Sequence, residues 1–359
     1  MSSNFFAGLL LAGTFAFLGC TGENIAEVSV EKTGKPIGER VGPVSQYGQL
    51  IAGAVDGKGA IYGSCEGIVA GKEVQVRGMS LYWSLVDRAT MFYSDAGIST
   101  MVKDMKIEVI RAAIGTEEDW GGTSGYYYDP DSQRDLIDAV VKAAIKNDIY
   151  VIIDWHSHTA TDQTQKAFEF FSEMAQKYGQ YNNVIFEVFN EPTKQTWDDI
   201  KAYAEIMVAA IRQYSDNLIL VGNPSWDQTP HKAVGNEVED PANNIAYTFH
   251  YYANTHSIAS QGRSAEKAIN AGLSVFVSEW GTVSANGDGT PNLVRNDDWQ
   301  AWMDEYKISS ANWSASRISE GSAAFANGST GDSLVFTESG ELVKSYLEKN
   351  PDSYKACGD

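Results

Sequence analysis

Eight short apolar runs punctuate the chain between residues 74 and 314: Val74–Ser80, Glu108–Ile114, Ile149–Asp154, Val184–Phe189, Leu218–Val221, Ile245–His250, Leu273–Ser278 and Ser310–Ser314. Most are apolar at consecutive rather than alternate positions, the pattern of a strand buried on both faces in a parallel sheet. The stretches between them carry helical periodicity. From Leu136 to Ile145, apolar residues fall at 136, 137, 140, 141, 144 and 145, with Asp138, Lys142 and Lys146 opposite. Phe168, Phe171, Met174 and Tyr178 make a second stripe that stops at Gly179. Thr196 and Asp199 have capping-box spacing ahead of a third, at Ile200, Ala204, Met207, Val208 and Ile211.

Strand and helix alternating through eight buried strands predict an α/β protein, a single (β/α)8 TIM barrel over residues 43–359. An open doubly wound sheet more often follows its first strand with a glycine-rich phosphate loop, and RGMSLYWS is not one. Ahead of the barrel, residues 21–42 are polar and aperiodic and read as a tether. Residues 1–20 read as a signal peptide, with Phe5 to Leu18 long enough for an apolar signal core and too short to span a bilayer. The preceding MSSN lacks the usual positive charge. Leu18-Gly19-Cys20 resembles the end of a lipoprotein box, with Phe17 where Leu is usual. Two outcomes stay open, lipidation of Cys20 or plain secretion. Both place the mature protein outside the cytoplasm or on the cell surface. Cys65 and Cys357 then remain, near the two ends of a barrel that brings its ends together. They pair in an oxidising compartment or stay as two thiols.

A net charge of -20 over 359 residues excludes nucleic acid and anionic lipid as partners, because both attract basic surfaces. A neutral polymer meets no such penalty. Nine Trp and eighteen Tyr supply flat apolar faces of the kind that stack on sugar rings. No cofactor is expected, and a monomer is the expected state.

Chemistry in such a barrel sits at the C-terminal ends of the strands. Those tips read Tyr82 and Trp83; Arg111; Trp155-His156-Ser157-His158; Asn190-Glu191; Trp226; His250 and Tyr252; Glu279-Trp280; and Trp313. Each alone is unremarkable: an ion-pair partner, a rim histidine, a packed tryptophan. Together they put a carboxyl on two tips within an aromatic and hydrogen-bonding rim. Two such carboxyls suit cleavage of a glycosidic bond, one protonating the leaving oxygen and one acting at the anomeric carbon. Glu191 is expected to be protonated at rest, by burial and a like-charged neighbour. Glu279 is expected to be ionised, held by Arg111 and the Tyr252 hydroxyl. Asn190 suits a sugar 2-hydroxyl, His156 and His250 suit hydroxyls and carboxylate orientation, Trp313 the floor under the reacting ring, and Trp83 and Trp226 platforms further along a cleft.

These segments resemble glycoside hydrolase family 5, the cellulase-type barrels. VIFEVFNEP fits that family's signature, and VIRAAI, IIDWHSH, TFHYYANTH, SEWGT and NWSAS follow in its order. The resemblance runs from about residue 45 to 350 and implies a retaining endo-β-1,4-glucanase acting on β-1,4-glucan, with Glu191 as acid/base and Glu279 as nucleophile. It implies Arg111, His156, Asn190, His250, Tyr252 and Trp313 as the supporting residues, and the two carboxyl groups about 5–5.5 Å apart. β-Mannan and mixed-linkage glucan remain alternative substrates. Two departures touch outer glycone contacts: Ile318 stands where many relatives carry Lys, with Arg317 beside it, and GMSLYWSL lacks a His that some relatives have. Two other classes compete, a non-catalytic glycan-binding barrel and a metal-dependent hydrolase using His156-x-His158 with His231, His250 or His256.

Overall fold

Eight parallel strands close into a barrel in which each strand pairs with the next along the chain and the last pairs with the first. They are β3 (Arg77–Leu81), β4 (Val109–Gly115), β5 (Tyr150–His156), β6 (Val184–Glu187), β7 (Ile219–Val221), β8 (Ile245–Tyr252), β9 (Val275–Gly281) and β10 (Ser310–Ala315). β4, β5, β9 and β10 are buried at every position, as consecutive apolar runs require. The computed structural model describes residues 40–117 and 124–358, so the signal segment, Cys20 and nearly all of the tether lie outside the described residues. Among the described residues no helix is long and apolar enough to cross a membrane.

Helices Asp95–Met105, Pro130–Asn147, Thr164–Tyr178, Trp197–Ile211, Arg263–Ile269, Leu293–Glu305 and Glu338–Leu347 pack around the strands. The Thr196–Asp199 capping box forms reciprocally. Ser94, Asp129, Asn292 and Thr337 each accept a first-turn amide at their own helices. The Leu136–Ile145 stripe buries Ile137, Val140, Val141 and Ala144. In the next helix Phe170 joins Phe171, Met174 and Tyr178 in the core, while Phe168 is only partly buried. Gly179 keeps a helical φ of -65° rather than a left-handed one. It is needed for space instead, since a Cβ there would meet the Ala175 carbonyl at 2.4 Å. Between β7 and β8 the expected helix is missing, and only the short turns Pro224–Asp227 and Pro230–Ala233 bridge the strands.

Ahead of the barrel lies an antiparallel hairpin that the apolar runs did not reveal, β1 (Leu50–Val55) and β2 (Lys58–Gly63). Asp56 (φ 52°) and Gly57 (φ 77°) form its two-residue turn. Leu50, Ala52 and Ile61 pack against Val76, Val109, Tyr150, Ile185, Leu220 and Phe276, closing the N-terminal end of the barrel. Asn244 and Ser274 pin the hairpin by accepting the Ala52 and Gly53 amides at 2.8 and 3.1 Å. Cys65, just past β2, is disulfide-bonded to Cys357 (Cα–Cα 5.8 Å), joining the two ends of the folded region.

Candidate active site

At the opposite end of the barrel the strands deliver polar side chains to one place. β9 carries Glu279 within the strand, and β8 places His250 beside it in register. Glu191 follows β6 with φ 49°, a left-handed conformation that strains a residue with a Cβ and that surrounding contacts must hold. A carboxylate oxygen of Glu191, one of Glu279 and a ring nitrogen of His250 all lie within 4.8 Å of one another.

Arg111, fully buried on β4, binds this group together. Its Nε donates to Glu187 Oε2 (2.7 Å), its Nη1 to Glu279 Oε2 (3.1 Å) and its Nη2 to Asn190 Oδ1 (2.7 Å), with Asp154 at 2.9 Å. Tyr252 Oη donates to the other Glu279 oxygen at 2.8 Å. The guanidinium and hydroxyl therefore grip the nucleophile candidate as expected. Asn190 Nδ2 is buried with no hydrogen-bond partner among the described residues, a donor left for a ligand.

Around Glu191 the arrangement differs from the expectation. His250 Nδ1 lies 3.0 Å from its Oε1 and His158 Nε2 lies 3.4 Å from its Oε2. Burial works to raise the Glu191 pKa, but the hydrogen bonds from His158 and His250 outweigh it and hold the carboxyl down at about 2. Burial lowers His250, but Asp227 and then the Glu191 hydrogen bond carry it up to about 9. Glu279 is raised, by burial first and the Glu191 charge second, against His250, Arg111 and Tyr252. The resting proton thus sits on His250 beside Glu191 rather than on Glu191 itself, which corrects the expectation of a protonated Glu191. The like-charge effect falls on Glu279 instead.

The remaining predicted residues fall in different places. His156 gives Nδ1 to Asp154 (2.6 Å) and lies between aromatic rings, parallel to Trp313 with centroids 5.3 Å apart and edge-on to Trp83 at 4.0 Å. Burial first, then the Arg111 charge, keeps it neutral. Trp313, whose peptide to Ser314 is cis, also contacts Tyr82 at 5.0 Å. Trp83 is a half-buried wall against the histidines, whereas Trp226 stands 49% exposed. Arg317 turns away to the Ser329 carbonyl at 3.1 Å, so it does not replace the missing lysine. Ile318 packs with Tyr82, Trp313 and Tyr252. The carboxyl in this area is Glu320, which accepts from Tyr82 Oη at 2.9 Å.

Sequence reasoning missed Glu187, Ser278 and Asp227. Glu187 had a usable signal, because a carboxylate inside a doubly buried strand needs a cation. Ser278 Oγ accepts from His250 Nε2 (2.9 Å) and donates to Glu187 Oε1 (2.7 Å). Asp227 had no signal short of the fold. The histidine pair proposed for a metal does not converge. His231 pairs with Ser264 and His256 accepts the Tyr252 amide. Glu187–Asp227–His250 and Glu191–His250–Glu279 do gather ligand-type atoms. In both, the two ring nitrogens of His250 already face Glu191 Oε1 at 3.0 Å and Ser278 Oγ at 2.9 Å.

A closed parallel barrel with two close carboxylates on its C-terminal rim, one gripped by an arginine and a tyrosine and the other by two histidines, defines a carboxylate-pair barrel hydrolase. The profile of cellulase (glycosyl hydrolase family 5) matches residues 68–319. The chain is 42% identical over 293 residues to endoglucanase Z of Dickeya dadantii, covering 80% of this chain and 66% of that protein. It is 34% identical to cellulase CelDZ1 of a Thermoanaerobacterium species, covering 78% of each. The catalytic domain of Thermobifida fusca endoglucanase Cel5A superimposes with a TM-score of 0.74 at 30% identity, covering 86% of this chain and all of that one. The chain belongs to glycoside hydrolase family 5.

Proposed function

We propose that this protein is a retaining endo-β-1,4-glucanase that hydrolyses internal bonds of cellulose-type chains, with Glu279 as nucleophile and Glu191 as acid/base. The carboxylate spacing carries the reading. The nearest oxygens of Glu191 and Glu279 lie within 4.8 Å, an approach that suits the separation of about 5–5.5 Å between carboxyl groups in double displacement better than the roughly 6.5–9.5 Å that inversion uses to admit a water. The names of the relatives, endoglucanase and cellulase, favour glucan over mannan.

In the first step Glu279 attacks the anomeric carbon, the bond to the leaving oxygen breaks, and that oxygen takes the proton shared by His250 and Glu191. Seating a sugar displaces water from Glu191. A dry site disfavours an imidazolium–carboxylate pair relative to its neutral form, so the proton moves to the carboxyl. That transfer removes the charge pushing Glu279 upward and favours the ionised nucleophile. In the second step a water gives its proton to Glu191 and its hydroxyl to the anomeric carbon, which frees Glu279. Asn190 Nδ2 meets the 2-hydroxyl, and Trp313 lies under the ring.

The test follows the anomer first formed from cellopentaose by proton NMR and locates a 2-fluoro-cellobiosyl label by mass spectrometry. A β anomer and a label on Glu279 are expected; an α anomer, or full turnover by Glu279→Ala, refutes the assignment. Carboxymethyl cellulose, mannan and mixed-linkage glucan assayed in parallel settle the substrate. We also propose export as a monomer, the Cys65–Cys357 bond suiting an oxidising compartment, with Cys20 either lipidated or removed with the signal segment. The mass of the mature N-terminal peptide tests both the cleavage and the lipid.

A further inference from the structure

Asp227 is a fully buried carboxylate that lies between the motifs VIFEVFNEP and TFHYYANTH and belongs to neither. It ends a run of three consecutive left-handed residues, Ser225 (φ 65°), Trp226 (φ 56°) and Asp227 (φ 57°), none of them glycine. Such a run persists only where its surroundings over-determine it. Here the Trp226 amide donates to the Pro192 carbonyl (3.0 Å), and the Asp227 amide donates to the Asn223 carbonyl (3.2 Å). Gly222 lets the two chains approach, since a Cβ there would meet the Phe189 carbonyl at 2.4 Å. The result splits neighbouring side chains: Trp226 faces solvent, and Asp227 points inward beneath Glu191.

Asp227 Oδ1 accepts the Asn223 amide at 2.6 Å. Its Oδ2 accepts the Glu191 main-chain amide at 3.3 Å and lies 3.6 Å from His250 Nε2. One carboxylate therefore touches both halves of the proton-sharing pair: the strained backbone of Glu191, and the edge of His250 opposite the one Glu191 occupies. We infer that Asp227 is the positioning residue of the acid/base, clamping the Glu191 backbone and retaining on His250 the proton that Glu191 delivers.

The inference rests on Glu191 being the acid/base. His250 is faced by Glu187 and Glu191 from β6 and the turn after it, by Ser278 and Glu279 from β9, and by Asp227 from the β7 turn. His156, kept neutral by burial and the Arg111 charge, adds no charge of its own to this group. Of these, Asp227 exerts the largest pull on the His250 proton. Asp227 itself is pushed up to about 7, by burial first, against His250 and the Asn223 amide, so it is charged on the alkaline side, where the shared proton is lost.

The test compares Asp227→Asn with wild type and with Glu191→Ala. Cellopentaose needs protonation of its leaving group, and 2,4-dinitrophenyl β-cellobioside does not. For Asp227→Asn, kcat/KM on cellopentaose, which reports the first chemical step, is expected to fall about 10- to 100-fold, within the roughly 10²–10⁴ of a whole general-acid step, while kcat/KM on the activated substrate changes by less than about threefold. The alkaline limb of kcat/KM moves down by about one pH unit, because an opposite charge has left the imidazolium. Equal losses on both substrates, or an unmoved limb, overturn the inference. Should Glu191→Ala itself lose kcat/KM equally on both, the acid/base assignment fails; should it discriminate while Asp227→Asn does not, only the role of Asp227 fails. Urea midpoints establish folding, and Asp227→Ser, which keeps one acceptor, takes the place of an unfolded Asn variant under the same criteria.

Discussion

Arg111→Met tests the electrostatics of the barrel interior without reference to catalysis. The substitution keeps an apolar stem of similar length and removes the charge and every donor. Arg111 contacts Asp154, Glu187 and Glu279 at 2.7–3.1 Å, and all four side chains are buried. Removing one partner of a buried pair leaves an uncompensated charge and costs about 3–5 kcal/mol. The pH dependence makes the prediction specific. Burial raises Asp154 and Glu279, and Arg111 is a lowering influence on both. Without it both rise further above their unfolded values. A raised carboxyl contributes stability below its unfolded pKa and loses it as pH rises through the folded one. The deficit of the variant should therefore be largest near neutrality and shrink near pH 4, where about 1–3 kcal/mol remains for unsatisfied polar partners. Urea midpoints of both proteins at pH 4 and 7.5 measure it. A deficit equal at both pH values, or under about 1 kcal/mol at pH 7.5, refutes the view of Arg111 as the counter-charge of the interior.

Glu108, buried at the base of β4, is pushed from 4.5 to about 7, chiefly by burial. Its contribution is complete below 4.5 and lost as pH rises through 7, about 3 kcal/mol at roughly 1.4 kcal/mol per pH unit, so Tm should fall across that window. Glu108→Gln should flatten the fall, and an unchanged slope in a Tm series would exclude Glu108 as its source. The Cys65–Cys357 bond closes a separation of 292 residues. The Cys65→Ser/Cys357→Ser protein should lose about 2–5 kcal/mol in urea, and reducing agent should destabilise wild type but not the variant. Trp226→Ala should raise KM for long cello-oligosaccharides about fivefold, or roughly 1 kcal/mol of lost stacking, with kcat on an aryl cellobioside unchanged. Equal KM values would exclude Trp226 as a platform.

What the sequence made legible was what burial writes into composition. β4 and β5 were readable because strands covered on both faces cannot alternate, and the tips were readable because polar groups interrupt apolar runs abruptly at Asn190-Glu191 and Glu279. The hairpin was lost because LIAGAV and KGAIYG are short and glycine-bearing. The Asp56-Gly57 pair between them was the available signal. The missing helix after β7 was hidden by the expectation of regular alternation, although Pro224 and Pro230 both interrupt that stretch. Charge states were not legible. Which carboxyl holds a proton depends on His158 and His250 both reaching Glu191, a matter of distances that spacing along the chain does not express.

The site is better understood as a shared charge inventory than as two carboxyls with fixed assignments. Asp154, Glu187, Asp227, Glu191 and Glu279 crowd around two cations, Arg111 and His250. Buried charge in that excess cannot all stay ionised, so protons distribute according to position. Arg111 and Tyr252 lie against Glu279, and the mobile proton lies against Glu191. The asymmetry that double displacement needs is therefore built into where the cations sit, one a guanidinium that cannot release its proton and one an imidazolium that can. On the proposed assignment, moving that single proton from His250 to Glu191 would produce the acid and relieve the nucleophile together. Both events would then depend on the water-excluding contact of a bound sugar, so the fully armed pair would form where there is a bond to cleave.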